Sequence, residues 1–395
     1  MRDNLLKEKV EQAVKILQEK DIDLWLTFVR ETELTVDPVL SYILGAGCTW
    51  QSAFIITSKG RRIAIVGSLD REKISRTSIY QEIIPYVGSI KESLLKVLGE
   101  EKPKKIALNF SKDSPASDGL TYGMFLKLME YLEGTEWKER IISSEEIISA
   151  LRGRKTPEEI KRIEEAIKIT EKIFKKVTEF IKPGLKEKEI ADFMKEEVRR
   201  EGAELAWEEE TDPAVFSGPQ EVGAHSGPTE RRVERGHVIN IDFGVKWKDY
   251  VSDLQRVWYV PKEGLDIPEK VRDAFETVKE AIKLAKKFLR PGVKGWEVDM
   301  VAREFIKSRG YEEYPHALGH PVGRSVHDGG TLLAPKWERY GEIPFKEVEE
   351  GNVFTLEPRI NLPEFGVVSL EEIVVVEKDG SRFLSTPQEE IFLVK

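Results

Sequence analysis

HVINIDFGVKWKDYVSDLQRVWYV, residues 237–260, reads as two β-strands folded back around a turn near Trp247 and Lys248. A two-residue turn at that point sets Asp242 directly opposite Asp253, with their Cβ atoms about 4.5–5.5 Å apart. Two bare carboxylates that close repel each other, and one of them must take a raised pKa. A cation between them removes the conflict. The alternative is that one aspartate faces solvent or caps a turn, so the pair alone does not decide the chemistry.

Further carboxylates lie towards the C-terminus. FTLEPRI (354–360) places Glu357 within an apolar strand, and VVSLEEIVVVEKDG (367–380) does the same for Glu371 and Glu372. An unpaired buried charge is costly, so each glutamate needs an explanation. Period-two alternation puts Glu372 on the face opposite Glu371, where a wet face of an edge strand accounts for it. HALGHPVGRSVHDGG (316–330) then concentrates three of the five histidines of the chain, His316, His320 and His327, in one glycine-rich loop. Four carboxylates with several imidazoles suit two hard or borderline divalent ions, and the sequence does not choose among Mn, Co, Zn and Fe. In a paired site a bridging water becomes hydroxide near neutral pH, and one metal polarises a carbonyl. That is amide hydrolysis without a serine or cysteine nucleophile. Neither HExxH nor GxSxG occurs, which excludes the single-zinc helical route and the nucleophile elbow.

The bulk properties set the frame around this cluster. A chain of 395 residues exceeds one typical core, so two domains are expected. Hydrophobic residues at 40% and charged residues at 34% fit a globular protein. A net charge of -9 with no long basic run argues against nucleic acid or an anionic membrane surface as partner. Cys48 is the single cysteine, which rules out an intrachain disulfide and a cysteine-based zinc site. The charged start MRDNLLKEKVEQ does not read as a secretory signal, and no apolar run approaches the roughly 18 residues of a membrane helix. A cytoplasmic protein is expected. Abundant Lys and Glu beside scarce Gln and Asn resemble the composition of heat-adapted proteins.

Leu6, Val10, Val14 and Leu17 recur at helical spacing, and DLWLTFV (23–29), SAFIITS (52–58), RRIAIVG (61–67) and KIALNF (105–110) read as strands. With a helix over 119–134 they predict an α/β domain that carries no GxGxxG or Walker loop. Thr156, Pro157 and Glu159 form an N-cap, a first-turn proline and a capping box, so the domain boundary falls just before Thr156, giving domains 1–155 and 156–395. Helices follow at 183–202, 268–290 and 292–310. The related cadences PGLKEKEIADF and PGVKGWEVDMV suggest two similar halves.

With these residues in place the chain resembles the M24 metallopeptidases, the group of methionine aminopeptidase, Xaa-Pro aminopeptidase and prolidase. IDFG with Asp242, SDLQR with Asp253, HALGHPVG with His320, FTLEP with Glu357 and SLEE with Glu371 carry the resemblance in the family's order. It covers the second domain throughout, and the first looks like the creatinase-type N-terminal domain of the prolidase branch. The resemblance implies an α+β fold: a creatinase-type α/β domain, then a pita-bread catalytic domain with an antiparallel sheet and pseudo-twofold halves. It implies that Asp242 binds one metal ion, that His320 and Glu357 bind a second, and that Asp253 and Glu371 bridge both. Glu357 doubles as proton shuttle. His225, His327 and His316 match pocket histidines and are expected to hydrogen-bond the scissile carbonyl oxygen. The implied activity is hydrolysis of the N-terminal bond of short peptides, with Xaa-Pro favoured, by a homodimer. The chain departs from the family in GHPVG, where Pro321 replaces a glycine, and at Ser369, where the family carries an arginine. Arg324 or Arg256 is the expected source of the missing positive charge, in contact with substrate. The alternatives are a metal-free creatinase-like C–N hydrolase and a non-catalytic pita-bread binding protein. Both kinds lose the acidic ligands, which are retained here.

Overall fold

A computed structural model describes residues 2–219 and 226–395. The chain divides into two compact units, Met1–Arg152 and Gly153–Lys395. The first contains α1 (Arg2–Glu19), β1 (Leu24–Val29), β2 (Ser52–Thr57), β3 (Arg62–Gly67), β4 (Glu82–Tyr86), α2 (Lys91–Glu101), β5 (Ile106–Leu108), α3 (Tyr122–Tyr131) and β6 (Ile141–Ser143). Its six strands form one mixed sheet in the order β4-β3-β2-β1-β5-β6. Leu24, Leu26 and Phe28 of β1 pack with Leu94 and Leu98 of α2 and with Met124 and Leu128 of α3. Trp25 and Val29 turn the other way, onto Val10, Ala13 and Leu17 of α1. Both faces of the sheet are covered, so β1 is apolar along nearly its whole length rather than alternating.

The second unit starts at α4 (Pro157–Phe180). Thr156 Oγ1 accepts from Glu159 N at 3.3 Å, and Glu159 Oε2 accepts from Thr156 N at 2.8 Å, the reciprocal capping box expected from TPEE. The repeated cadence is repeated structure. α5 (Glu187–Glu201) is preceded by the turn at Pro183-Gly184, α6 (Glu269–Phe288) is followed by the matching turn at Pro291-Gly292, and α7 (Gly295–Ser308) closes the second pair. Glu189 Oε2 caps Lys186 N, and Glu297 Oε2 caps Lys294 N, both at 2.7 Å. The helix pairs α4–α5 and α6–α7, with their strands, are the two halves of the pita-bread fold.

The strands of this unit are β7 (Glu204–Leu205), β8 (Ala214–Ser217), β9 (Val238–Phe243), β10 (Val245–Trp247), β11 (Tyr250–Val251), β12 (Leu254–Tyr259), β13 (Val353–Leu356), β14 (Arg359–Leu362), β15 (Gly366–Ser369), β16 (Glu372–Glu377), β17 (Gly380–Phe383) and β18 (Phe392–Leu393). They pair as β18-β12-β9-β8, β13-β16-β17, β14-β15 and β11-β10-β7. A bridge between Gln255 and Glu371 ties the first of these sheets to the segment leading into β16. Behind the strands, Phe275, Val278 and Ile282 of α6 and Val298, Ala302 and Ile306 of α7 share one core with Val257, Phe354, Val374 and Val376. None of the described helices is long and apolar enough to cross a membrane.

The opening hairpin folds with a different register from the one expected. Its two turn residues are Lys248 and Asp249, both at positive φ (50° and 69°), as a two-residue primed turn requires. Trp247 therefore pairs with Tyr250, and Asp242 lies opposite Gln255 rather than Asp253. The shift is two residues. Asp253 stays on the same sheet face as Gln255 and becomes the diagonal neighbour of Asp242. A second expectation also fails: Glu372 does not line a wet edge. It lies in the central strand of its sheet and is 1% exposed, paired through Oε1 to Arg256 Nη1 at 3.1 Å. The alternation was read correctly, but both faces of this strand are buried.

Candidate metal centre

Five segments converge on a single point. β9 and the end of the hairpin bring Asp242 and Asp253, β13 runs out into Glu357, and the segment before β16 brings Glu371. The loop of residues 316–330 lies along β13 as an irregular strand. Thr355 N donates to His320 O at 2.9 Å, and Glu357 N donates to Leu318 O at 2.7 Å. Gly319 is required for this approach, since a Cβ there would sit 1.9 Å from Thr355 O. Pro321 bridges to Phe354 and its carbonyl accepts from Asp328 N, so a proline fits the ladder without loss of the histidine's position.

His320 Nε2 lies 3.3 Å from Glu357 Oε1, 3.6 Å from Asp253 Oδ2 and 3.9 Å from Glu371 Oε1. Asp253, His320 and Glu371 each offer a ligand atom within 4.8 Å of one another. Burial drives the His320 pKa down to about 3, so the ring is neutral. Its Nδ1 faces Pro321 O at 3.4 Å, which places the proton there and leaves the Nε2 lone pair towards the carboxylates. Burial likewise raises all four acids: Asp242 to about 7, and Asp253, Glu357 and Glu371 well above the ordinary range, with mutual repulsion adding to the last three.

Among the described residues, buried Asp242 Oδ1 and Glu371 Oε1 have no hydrogen-bond partner. Orphaned buried oxygens are rare because each forfeits its hydration. A divalent cation is the partner that such a cluster of oxygens and one imidazole nitrogen suits, so the donor set fits metal ions.

The cluster forms the floor of a cavity of about 1020 Å³. His316, His327 and Arg324 also line it. His327 is exposed and packs edge-on against the His320 ring, with centroids 4.4 Å apart. His316 is half-buried, and burial lowers its pKa to about 4. Its Nδ1 lies 2.8 Å from Ala317 O, so Nδ1 carries the proton and Nε2 is an acceptor. In that tautomer His316 offers an acceptor at Nε2. Arg324 Nε donates to Tyr250 Oη at 3.2 Å. His225 lies outside the described residues. The structure does not bring Arg256 to the cavity: it is buried behind the site, where it bonds Glu372 and holds the main-chain carbonyl of Glu371 at 2.9 Å.

Three features escaped the sequence reading. Gln255 Nε2 donates to Glu357 Oε2 at 3.2 Å and Glu371 Oε2 at 3.1 Å, linking two of the acids from the opposite strand. Lys155 Nζ meets Asp328 Oδ2 at 3.0 Å with both side chains fully buried, and Asp328 Oδ1 accepts from Arg324 N, which fixes the loop beside His327. Arg359 lines the cavity from the start of β14, two residues after Glu357. The signal for Arg359 was an arginine two residues after a glutamate in an apolar stretch.

Comparison with known proteins places these features in context. The family model for metallopeptidase family M24 matches residues 161–378. The chain is 29% identical to an Xaa-Pro dipeptidase from Pyrococcus horikoshii over 394 residues, covering 98% of this chain and 99% of that one. Among solved structures it is similar to an X-Pro aminopeptidase from Thermotoga maritima (TM-score 0.71, 28% identity, 98% and 99% covered). It is also similar to a prolidase from Pyrococcus horikoshii (TM-score 0.69, 28% identity, 97% and 99% covered).

Proposed function

This chain belongs to metallopeptidase family M24, and from that premise we propose that it hydrolyses the N-terminal peptide bond of short Xaa-Pro peptides with two divalent metal ions. It is an enzyme, a metallopeptidase; the substrate, the number of ions and the residue roles are the proposal. One observation carries it: Asp242, Asp253, Glu357, Glu371 and His320 Nε2 meet at the floor of one cavity, with two buried carboxylate oxygens left unpartnered. Asp242 would hold one ion, His320 and Glu357 the other, with Asp253 and Glu371 between them. Two bound divalent ions supply Lewis acidity and lower the pKa of a water molecule.

The chain's own residues do the rest. The Glu357 side chain, like that of Asp242, remains partly open to the cavity, at 18% exposure, so it can exchange protons with substrate. It takes a proton from the attacking water and delivers it to the departing nitrogen of proline. Gln255 steers this carboxylate by holding Oε2, leaving Oε1 towards the reacting atoms. His327, at the open side of His320, donates to the carbonyl oxygen as charge develops there. His316 Nε2 accepts a hydrogen bond from an N–H of the peptide. Phe216, Val367 and Tyr340 supply the apolar wall against which a proline ring packs.

We read residues 1–155 as a creatinase-type domain and 156–395 as the catalytic domain, in a cytoplasmic homodimer from a heat-adapted organism; composition and family resemblance support this. The test is direct. Purified protein should contain stoichiometric Mn, Co, Zn or Fe and cleave Xaa-Pro dipeptides or tripeptides faster than non-proline controls. Asp253→Ala should lose both metal and activity; unchanged metal content in that variant overturns the assignment.

A further inference from the structure

The first unit has a cavity of its own, of about 540 Å³, at the end of its sheet where β1 and β4 finish and β2 begins. Three aromatic side chains line it: Trp50 just before β2, Tyr86 at the end of β4 and Tyr131 at the end of α3. Strand β3 lies between β2 and β4, and its residue opposite Tyr86 is Gly67. A Cβ at Gly67 would sit 2.6 Å from Trp50 Cε3. The missing side chain lets the indole cross β3 and pack against Tyr86, with ring centroids 6.1 Å apart and planes tilted by 47°.

The members of this wall are tied down. Tyr86 Oη donates to Gln51 O at 2.8 Å, and Tyr131 Oη donates to Gln51 Oε1 at 2.9 Å. Thr49 N and Trp50 N both donate to Asp70 Oδ2, at 3.0 and 3.4 Å. Two donors are left over. Among the described residues Trp50 Nε1 and Gln51 Nε2 have no hydrogen-bond partner, and both residues are half-buried on the cavity wall. Exposed Arg30, Glu31 and Val87 lie on the rim. A fixed aromatic surface with unused donors loses little entropy when a ligand settles on it.

The ring geometry narrows the ligand. Tilted rings in contact form a V-shaped notch. A flat base stacked on one ring would lean into the other, whereas a puckered pyrrolidine ring fills the angle between them. A quaternary ammonium needs ring faces around it, and Arg30 on the same rim repels it. A polyproline II segment makes no internal hydrogen bonds, so its carbonyls are free to accept from Trp50 Nε1 and Gln51 Nε2. Its stiffness lowers the ordering cost further.

We propose that this cavity binds proline-rich segments in the polyproline II conformation. It shares no residue with the metal centre and does not depend on the peptidase reading.

The probe is N-acetyl-hexaproline-amide, which has no free terminus, titrated calorimetrically into the metal-loaded protein beside a blocked Gly-Ser hexapeptide. Wild type should bind hexaproline at least about ten-fold more tightly than the control. Trp50→Ala should lose on the order of ten-fold or more in affinity. Trp50→Phe, which keeps a ring but not the donor, and Gln51→Leu should fall between. Asp253→Ala should bind as wild type does, because the metal centre takes no part. Equal affinity for the two peptides in wild type overturns the proposal. So does hexaproline binding that survives intact in Trp50→Ala or disappears in Asp253→Ala. If wild type ignores hexaproline while Trp50→Ala abolishes adenosine binding or self-association, the notch serves a flat base or a second copy, and the proposal falls. The wild-type preference decides even if a variant misfolds.

Discussion

Stripped of metal, the protein should lose stability as pH rises from 5 to 7, the reverse of ordinary acid denaturation. Asp242 is held up to about 7 by burial, and Asp253, Glu357 and Glu371 are raised by burial and by one another. In the unfolded chain these acids titrate near 4. Between the two ranges the native cluster binds protons that the unfolded chain has released. Stability then falls with pH by about 1.4 kcal/mol per unit for each such proton. His316 and His320, held neutral by burial where unfolded imidazoles still bind protons, offset part of this, and a net of one retained proton across two units amounts to about 2.7 kcal/mol. For a unit of this size, Gly153–Lys395, about 2–4 °C accompanies each kcal/mol, so the midpoint should drop by roughly 5–10 °C. Calorimetry of chelator-treated protein at pH 5, 6 and 7 measures it. Asp242→Asn removes one proton-binding group and should flatten the slope. Restored metal ions compete with protons for the same oxygens, so their stabilisation should grow with pH. Parallel profiles for metal-free wild type and Asp242→Asn would refute the reasoning, because the cluster would then not be the source of the slope.

Two further outcomes follow from the residues around the cluster. Lys155→Met leaves Asp328 charged and fully buried, and should cost about 3–5 kcal/mol in denaturant unfolding; Lys155→Met/Asp328→Leu should recover much of it, and a loss below about 1 kcal/mol in the single variant would show that the pair is not shielded from water. Gln255→Leu removes the amide that holds Glu357 and Glu371, and should weaken metal binding on the order of 10–100-fold in chelator competition; an unchanged affinity would mean that the acids are positioned without it.

Local periodicity carried the site a long way because it fixes faces. The expected hairpin turn was misplaced, yet Asp242 and Asp253 still share a face. A slip of two residues preserves the face, whereas a slip of one inverts it. The same logic separated Glu371 from Glu372 correctly. It failed on what covers the second face, since period-two alternation cannot distinguish water from a buried arginine. The turn itself was settled by Lys248 and Asp249 accepting positive φ, a weaker signal than an Asn-Gly pair. The capping box at Thr156 was legible because every participant lies within four residues.

Roles of cations were not legible in this way, because an arginine's function depends on which anion reaches it first. Arg256 stands three residues from Asp253 and looks like a pocket residue in the sequence. The alternation of β12 turns it away, and Glu372, 116 residues later, neutralises it. Arg359 looks unremarkable after Glu-Pro, yet it lines the cavity and pairs across the ladder with the short Ser369. A positive charge thus stands directly across the ladder from position 369.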